Sequence, residues 1–200
     1  MVTFGSSDTL TNQIIKGAPI DIFLGADFTF PEKIVAAGLA DTSAPVPYAK
    51  GTLVLLARKD FAVSPLSVDL LTDPRVKRIA VSDEFHAPIG RAAVSELRAL
   101  KVYETVKPKL LIEENGSQTA QVVESGKAEV GFVSMALANS GHYKQIANFV
   151  RVPSLYPEIR QCAVVLKTSE HAADAKVFLN WLRSAKVQEH LPEFGLDPVQ

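Results

Sequence analysis

The sequence predicts an α/β fold with two lobes, and two features of the chain support this prediction. Short apolar runs alternate with stretches of helical period along the whole length, as expected where strands alternate with helices. Two proline-containing segments, at 44–49 and 153–157, divide the chain into front, middle and back parts. We therefore expect one lobe formed by 1–60 together with 157–200 and a second formed by 61–156, joined by two crossing segments.

Strands are predicted where four or so apolar residues follow one another. These runs are 2–4, 20–25, 52–57, 78–81, 110–112, 130–133, 149–152 and 162–166. Helices are predicted where an apolar stripe recurs or a glycine closes the segment, at 8–16, 30–37, 67–71, 89–100, 118–125, 134–139, 172–182 and 187–193. We assign Val177, Phe178 and Trp181 to the core, and we treat 44–49 as an extended connection without regular structure.

Composition excludes several classes of protein. The chain has 200 residues, 47% of them hydrophobic and 22% charged, which is typical of a globular fold with a substantial core. A formal net charge of −1 without a long basic cluster argues against non-specific nucleic-acid binding. Cys162 is the single cysteine, so neither an intrachain disulfide nor a cysteine metal site is expected. No apolar run approaches the roughly 20 residues that span a bilayer, and no export signal is recognised.

Three loop-to-helix junctions could present an anion with hydroxyl and backbone N–H donors. They are GSS at 5–7, HAP at 86–88 and NGS at 115–117, each predicted to follow a strand. The first N–H groups of a helix have no partner within the helix, and the helix dipole is positive at that end. Plain helix capping explains any one junction equally simply. Taken together, the three junctions leave anion binding and capping about evenly supported.

Catalytic explanations have weaker support. A hydrolase reading pairs Ser6 or Ser7 with His86 and with an acid of the 83–84 pair, but no GxSxG motif surrounds a serine. The acidic pairs at 83–84 and 113–114 are more simply explained as solvated loop charges than as a cation site. Arg160 is a further candidate for the anion, ranked below the serines because such an arginine more often pairs with a carboxylate.

Four segments together resemble one family. FGSSDTLTNQIIKGAPIDIFLGAD at 4–27 is similar to the GSS and GAP-x-D stretch of molybdate-binding proteins, the solute receptors of ABC-type molybdate importers. RIAVSDEFHAPIGRAA, ENGSQTAQVVESGKAEVGFV and YPEIRQCAVVL match later segments of that family in the same order. The resemblance covers nearly the whole chain.

The resemblance implies a type II periplasmic-binding fold that closes around molybdate or tungstate, without a cofactor and without catalysis. By position, it implies the hydroxyl of Ser7 and the backbone N–H groups of Ile89 and Gly116 as ligands. Ser6, Ser117 and Arg160 complete the candidate set. The implied partner is the membrane permease of an ABC importer, and the implied location is periplasmic or otherwise extracytoplasmic, with no nucleic acid and no membrane insertion.

Two departures from the family pattern lead to an alternative function. Family members begin with a strand and a helix upstream of GSS, which supply another serine, whereas GSS starts at position 5 here. A tyrosine donor that some relatives place near Ile89 or on the return strand is also missing, with Ile89 and Arg160 at those places. The alternative is therefore a binding-impaired member that acts as an interaction or regulatory module, or that forms a homodimer through an exposed sheet edge.

Overall fold

A computed structural model describes residues 1–61 and 65–199. The strands are β1 Ile22–Gly25, β2 Val46–Gly51, β3 Leu53–Arg58, β4 Ile79–Ser82, β5 Leu110–Glu113, β6 Val130–Ser134, β7 Ala147–Arg151, β8 Ile159–Val165 and β9 Leu196–Asp197. The α-helices are α1 Ser7–Ile15, α2 Thr29–Ala36, α3 Pro88–Ala99, α4 Tyr103–Val106, α5 Gly116–Glu124, α6 Met135–Ala138, α7 Gly141–Ile146, α8 Ala172–Leu182 and α9 Ala185–His190. Short 3₁₀ turns occupy Val68–Thr72, Lys107–Lys109 and Leu191–Phe194.

The chain divides into two compact units. Unit 1 consists of Met1–Gly51 and Ile159–Gln200, and unit 2 consists of Thr52–Glu158. The sequence-based boundaries lie after 60 and after 156, whereas the units divide after Gly51 and after Glu158. β3 accounts for most of the difference, because it pairs with β6 and β7 inside unit 2.

Unit 1 contains a four-stranded sheet in the order β1-β8-β2-β9, in which neighbouring strands are antiparallel. One apolar cluster packs α1 and α2 on this sheet and includes Ile14, Phe30 and Ile34. A second cluster, which includes Ala175 and Leu179, packs α8 on it. α1 ends where Gly17 takes a φ of 93°, a backbone conformation that glycine adopts without strain.

Unit 2 contains a five-stranded sheet in the order β5-β4-β6-β3-β7. β4 runs parallel to both β5 and β6, whereas β3 is antiparallel to β6 and β7. Parallel neighbours require crossover connections, and α3 and α5 provide them. The carboxyl ends of β4 and β5 therefore lie at one edge of the sheet, and the chain passes from each of them into a loop and the start of a helix.

Three sequence-based predictions for unit 1 are wrong. Segment 2–4 forms no strand, and its residues are exposed beside a cavity of about 510 Å³ next to β1. Segment 44–49 contains most of β2, because Pro47 sits at a register shift where a missing N–H is tolerated. Val177, Phe178 and Trp181 are exposed by 41–69% rather than buried, since α8 turns Ala175 and Leu179 towards the sheet.

Candidate functional site

α1 starts with a serine that caps it. The Ser6 hydroxyl accepts a hydrogen bond from the Thr9 N–H at 3.2 Å and donates one to Thr9 Oγ1 at 2.8 Å. Because its single hydrogen is already donated, this hydroxyl can reach an anion only by giving up that contact. Capping thus accounts for the side chain of Ser6.

Ser7 is arranged differently. Its Oγ accepts a hydrogen bond from the Ala26 N–H at 3.4 Å, which places the start of α1 beside the carboxyl end of β1. Among the hydrogen bonds of the described residues, none is donated by the Ser7 hydroxyl, and none involves the N–H of Ser7 or Asp8. Ser7 is partly buried, so it offers an anion a hydroxyl and an N–H at the positive end of a nine-residue helix.

α3 starts without a side-chain cap. Ala87 is its N-cap, Pro88 is its first residue, and the first hydrogen bond of the helix runs from Arg91 N–H to Ala87 O at 3.0 Å. Proline has no N–H, so Ile89 and Gly90 carry the free donors of this turn, and neither has an acceptor within the described part of the chain.

Gly90 brings the start of α3 close to the end of β4. A Cβ atom at this position would lie 2.2 Å from the Ser82 carbonyl oxygen and 2.5 Å from that of Asp83. Because both are backbone atoms, no side-chain movement relieves such a contact. The glycine is therefore required for the position of the Ile89 N–H relative to the sheet.

α5 starts with an asparagine cap. The Asn115 side chain accepts from the Gln118 N–H at 3.0 Å, and the Gln118 side chain accepts in turn from the Glu114 N–H at 3.1 Å. The N–H groups of Gly116 and Ser117 have no acceptor in the residues that the structure describes. A Cβ at Gly116 would meet nothing within 4 Å, so this position needs no glycine.

A buried hydroxyl pair links α5 to β4. Ser82 Oγ lies 2.9 Å from Thr119 Oγ1, and both residues are buried. Ser82 is the last residue of β4, and Thr119 lies in the first turn of α5. Sequence reasoning missed this pair, because nothing in the local pattern connects residues 37 positions apart.

Arg160 lies on β8 in unit 1 and is exposed. Its carbonyl oxygen is 3.4 Å from the thiol of Cys162, which is fully buried opposite Gly25. Burial raises the pKa of Cys162 to about 11, against a smaller lowering by Arg160. The thiol is therefore protonated at neutral pH, and nothing here suggests a nucleophile.

His86 belongs to a tight loop with Asp83. The Asp83 carboxylate accepts from the backbone N–H groups of Phe85 and His86 at 2.7 and 3.0 Å, and its Oδ1 lies 2.9 Å from His86 Nδ1. Burial acts to raise the pKa of Asp83, but these hydrogen bonds outweigh it and the pKa is lowered. Both residues thus serve the loop that precedes α3. The described residues contain no cluster of three or more His, Cys, Asp and Glu suited to a metal ion.

Two contacts hold the segment after β7 on unit 2, and sequence reasoning missed both. The Leu155 N–H donates to Glu96 Oε2 at 2.6 Å, and the Leu53 N–H donates to the Tyr156 hydroxyl at 2.9 Å. Glu96 is fully buried, and its second oxygen has no hydrogen-bond partner. Burial raises its pKa, with a smaller lowering by the Leu155 N–H. The sequence did contain one signal for the first contact, because Glu96 is a charged residue on the apolar, buried stripe of α3.

Comparison with known proteins identifies the family. The bacterial extracellular solute-binding protein family matches residues 1–197. The chain belongs to this family. The molybdate-binding protein ModA of Rhodobacter capsulatus is 35% identical over 194 residues, which cover 96% of this chain and 75% of the relative. The ModA of Azotobacter vinelandii is 32% identical over 196 residues, covering 98% of this chain and 77% of that protein. The resemblance to molybdate-binding proteins is confirmed.

Solved structures confirm the fold. The Azotobacter vinelandii periplasmic molybdate-binding protein superposes with a TM-score of 0.87 at 27% identity, covering 100% of this chain and 87% of that one. The sulfate-binding protein SubI of Mycobacterium tuberculosis gives a TM-score of 0.80 at 16% identity, over 99% of this chain and 75% of its own, and supports the fold alone. The α/β fold of the periplasmic binding proteins is thus established. In the described part of the chain, no helix combines the length and the apolar character needed to cross a membrane.

Proposed function

We propose that this protein is a receptor that binds a tetrahedral oxyanion, molybdate or tungstate, outside the cytoplasm and delivers it to the membrane permease of an ABC importer. The similarity to molybdate-binding proteins over 96–98% of the chain supports the ligand class. It also disfavours the alternative of an interaction module, because the matched region includes all three helix starts.

The main support for the proposal is that the three helix starts all have backbone N–H groups without an acceptor in the described residues. α1, α3 and α5 each leave two first-turn N–H groups without an acceptor in the described residues. Neutral N–H and hydroxyl donors bind a desolvated dianion without requiring a counter-charge, and each helix dipole adds about 0.3–1 kcal/mol. An enzyme is not needed to explain these features, and we propose none.

We propose particular donors for the anion. They are the hydroxyl and N–H of Ser7 and the N–H groups of Ile89 and Gly116. The N–H of Ser117 is the second free donor at the start of α5, and the exposed Arg160 contributes long-range attraction. The Ser6 hydroxyl supports the site by capping α1 rather than by binding the anion. No cofactor is required by this set.

The test is a thermal melt with oxyanions. At a molybdate concentration about 100 times the Kd, binding adds about 2.7 kcal/mol, which for a chain of this size corresponds to roughly 5–10 °C in Tm. We expect sulfate and phosphate to produce much smaller shifts at the same concentration. A protein whose Tm is unchanged by millimolar molybdate and tungstate contradicts the proposal.

Self-association through β1 stays a prediction. β1 is one of the two edge strands of the sheet of unit 1 in the described residues, and Leu24 on it is 40% exposed. Light scattering of the unmodified protein and of Leu24→Lys distinguishes a monomer from a dimer that pairs through β1. A dimer mass that reverts to a monomer in the variant supports pairing at this edge.

A further inference from the structure

The end of β4 contacts both helix starts of unit 2. On one side, the lack of a side chain at Gly90 lets the start of α3 lie close to the carbonyl oxygens of Ser82 and Asp83. On the other side, the Ser82 hydroxyl meets Thr119 at 2.9 Å, in the first turn of α5. One residue, Ser82, therefore takes part in placing both pairs of free N–H groups.

The direction of the hydrogen bonds follows from counting hydrogens. Thr119 Oγ1 donates to the Asn115 carbonyl oxygen at 3.0 Å, which uses its single hydrogen. Ser82 must therefore be the donor to Thr119. The resulting chain runs from Ser82 through Thr119 to Asn115, the N-cap residue directly before Gly116.

Core stability alone does not require these two hydroxyls. Replacing both partners of a buried hydrogen bond by apolar groups of similar shape is close to neutral, whereas removing one partner leaves the other unsatisfied. An apolar pair would fill the same space without fixing the rotation of α5 about its axis. The polar pair adds direction to the contact, since a hydrogen bond weakens steeply when its angle departs from linear.

We propose that Ser82 and Thr119 are positioning residues for the oxyanion, which they do not touch. They hold the Gly116 and Ser117 N–H groups at a fixed separation from the Ile89 N–H. This inference rests on the proposed function. Oxyanions of the same shape differ only slightly in size, so discrimination between them depends on donors that cannot shift to follow the smaller ion.

The experiment compares four proteins by calorimetric titration well below their melting temperatures: unmodified, Ser82→Ala, Thr119→Val and the double variant. Each single variant is expected to bind molybdate about tenfold more weakly, a loss of about 1.4 kcal/mol. The ratio of sulfate Kd to molybdate Kd should fall at least about threefold in both. Because the two residues act as one pair, their effects on affinity should not multiply. The double variant should bind molybdate about as weakly as either single variant does, and not as weakly as the product of the two single losses would give.

A matched control separates positioning from stability. Val123 is buried on the same helix, and its side chain belongs to the apolar cluster of unit 2. Val123→Ala should lower the urea midpoint as much as Thr119→Val does, yet leave both the affinity and the selectivity ratio within about twofold of the unmodified protein. Equal losses of selectivity in Val123→Ala and Thr119→Val would overturn the positioning role.

Hydrogen exchange in the ligand-free protein tests the role independently of binding. The Gln118 and Thr119 amides are bonded to Asn115, so Ser82→Ala should speed their exchange about tenfold while leaving amides of β3 unchanged. Unchanged exchange, or unchanged affinity and selectivity in a protein that binds molybdate, overturns the inference. If the unmodified protein binds no oxyanion, the proposed function fails, and the exchange rates alone decide whether the pair positions α5.

Discussion

The sharpest structural prediction concerns Gly90, at the start of α3. In Gly90→Ala, the new methyl group would lie 2.2 Å from the Ser82 carbonyl oxygen, 2.5 Å from the Asp83 carbonyl oxygen and 2.6 Å from the Ser82 carbonyl carbon. Ordinary carbon contacts begin near 3.4 Å. The helix start must therefore move away from β4 by on the order of 1 Å, because the obstructing atoms all belong to the backbone.

Overpacking of this kind costs about 1–3 kcal/mol, and a clash with backbone on one strand end places Gly90→Ala at or above the upper limit. A loss of about 3 kcal/mol corresponds to roughly 6–12 °C in Tm for a chain of this length. The urea midpoint should fall by about 1 M or more, since m is about 1–3 kcal/mol/M for small proteins and rises with size. Molybdate binding should weaken as well, because the Ile89 N–H moves with the helix.

Gly116→Ala is the matched control, because it also adds a methyl group to a glycine in the first turn of a helix. Nothing lies within 4 Å of its Cβ position, and alanine is favoured over glycine in helices by up to about 1 kcal/mol. We expect a free energy of unfolding equal to or slightly above that of the unmodified protein. A Gly90→Ala protein that melts within about 1 °C of the unmodified protein, or an equal loss of stability in both variants, would contradict a steric requirement for glycine at position 90.

Three further predictions address single side chains. Ser7→Ala should weaken molybdate binding at least about tenfold in a calorimetric titration. Ser6→Ala should cost about 1 kcal/mol of stability in a urea melt, with little change in affinity. The opposite pattern would indicate that Ser6 is the ligand. Burial raises the pKa of Glu96 in the folded protein. The unmodified protein should therefore lose stability relative to Glu96→Gln as the pH rises through that pKa. A difference in Tm between the two proteins that stays constant with pH would contradict this. The Cys162 thiol, with a pKa raised to about 11 by burial, should react with a thiol reagent at neutral pH only after unfolding.

Local sequence signals predicted most of the fold, because capping and periodicity are local. Helix α8 was expected at 172–182 and lies at Ala172–Leu182, and each of the three helix starts lies within two residues of its expected place. The prediction of which face of α8 is buried was wrong. Val177, Phe178 and Trp181 form a plausible apolar stripe, but the contact with the sheet selects Ala175 and Leu179, and a tertiary choice of this kind leaves no local trace.

The candidate site was predictable in part for the same reason. A serine or asparagine before a helix reveals a cap and so marks the helix start, and the resemblance to molybdate-binding proteins implies Ser7 and Gly116 at two of these starts. The different roles of Ser6 and Ser7 could not be predicted, because they depend on tertiary and local hydrogen bonds. The Ser6 hydroxyl bonds to Thr9, whereas the Ser7 hydroxyl accepts from the Ala26 N–H. The Ser82–Thr119 pair also depends on the parallel pairing of β4 and β5, which brings the loops that follow both strands to one edge of the sheet.

Calorimetric titration of the unmodified 200-residue chain with molybdate is the decisive test of oxyanion binding. We expect binding of one molybdate per chain with a Kd well below millimolar, competition by tungstate, and heats with sulfate that indicate far weaker binding. Ser7→Ala should reduce the affinity without changing the stoichiometry. Absence of binding heat at millimolar molybdate at two temperatures, with a correctly folded protein, would contradict the assignment of the three helix starts to an oxyanion.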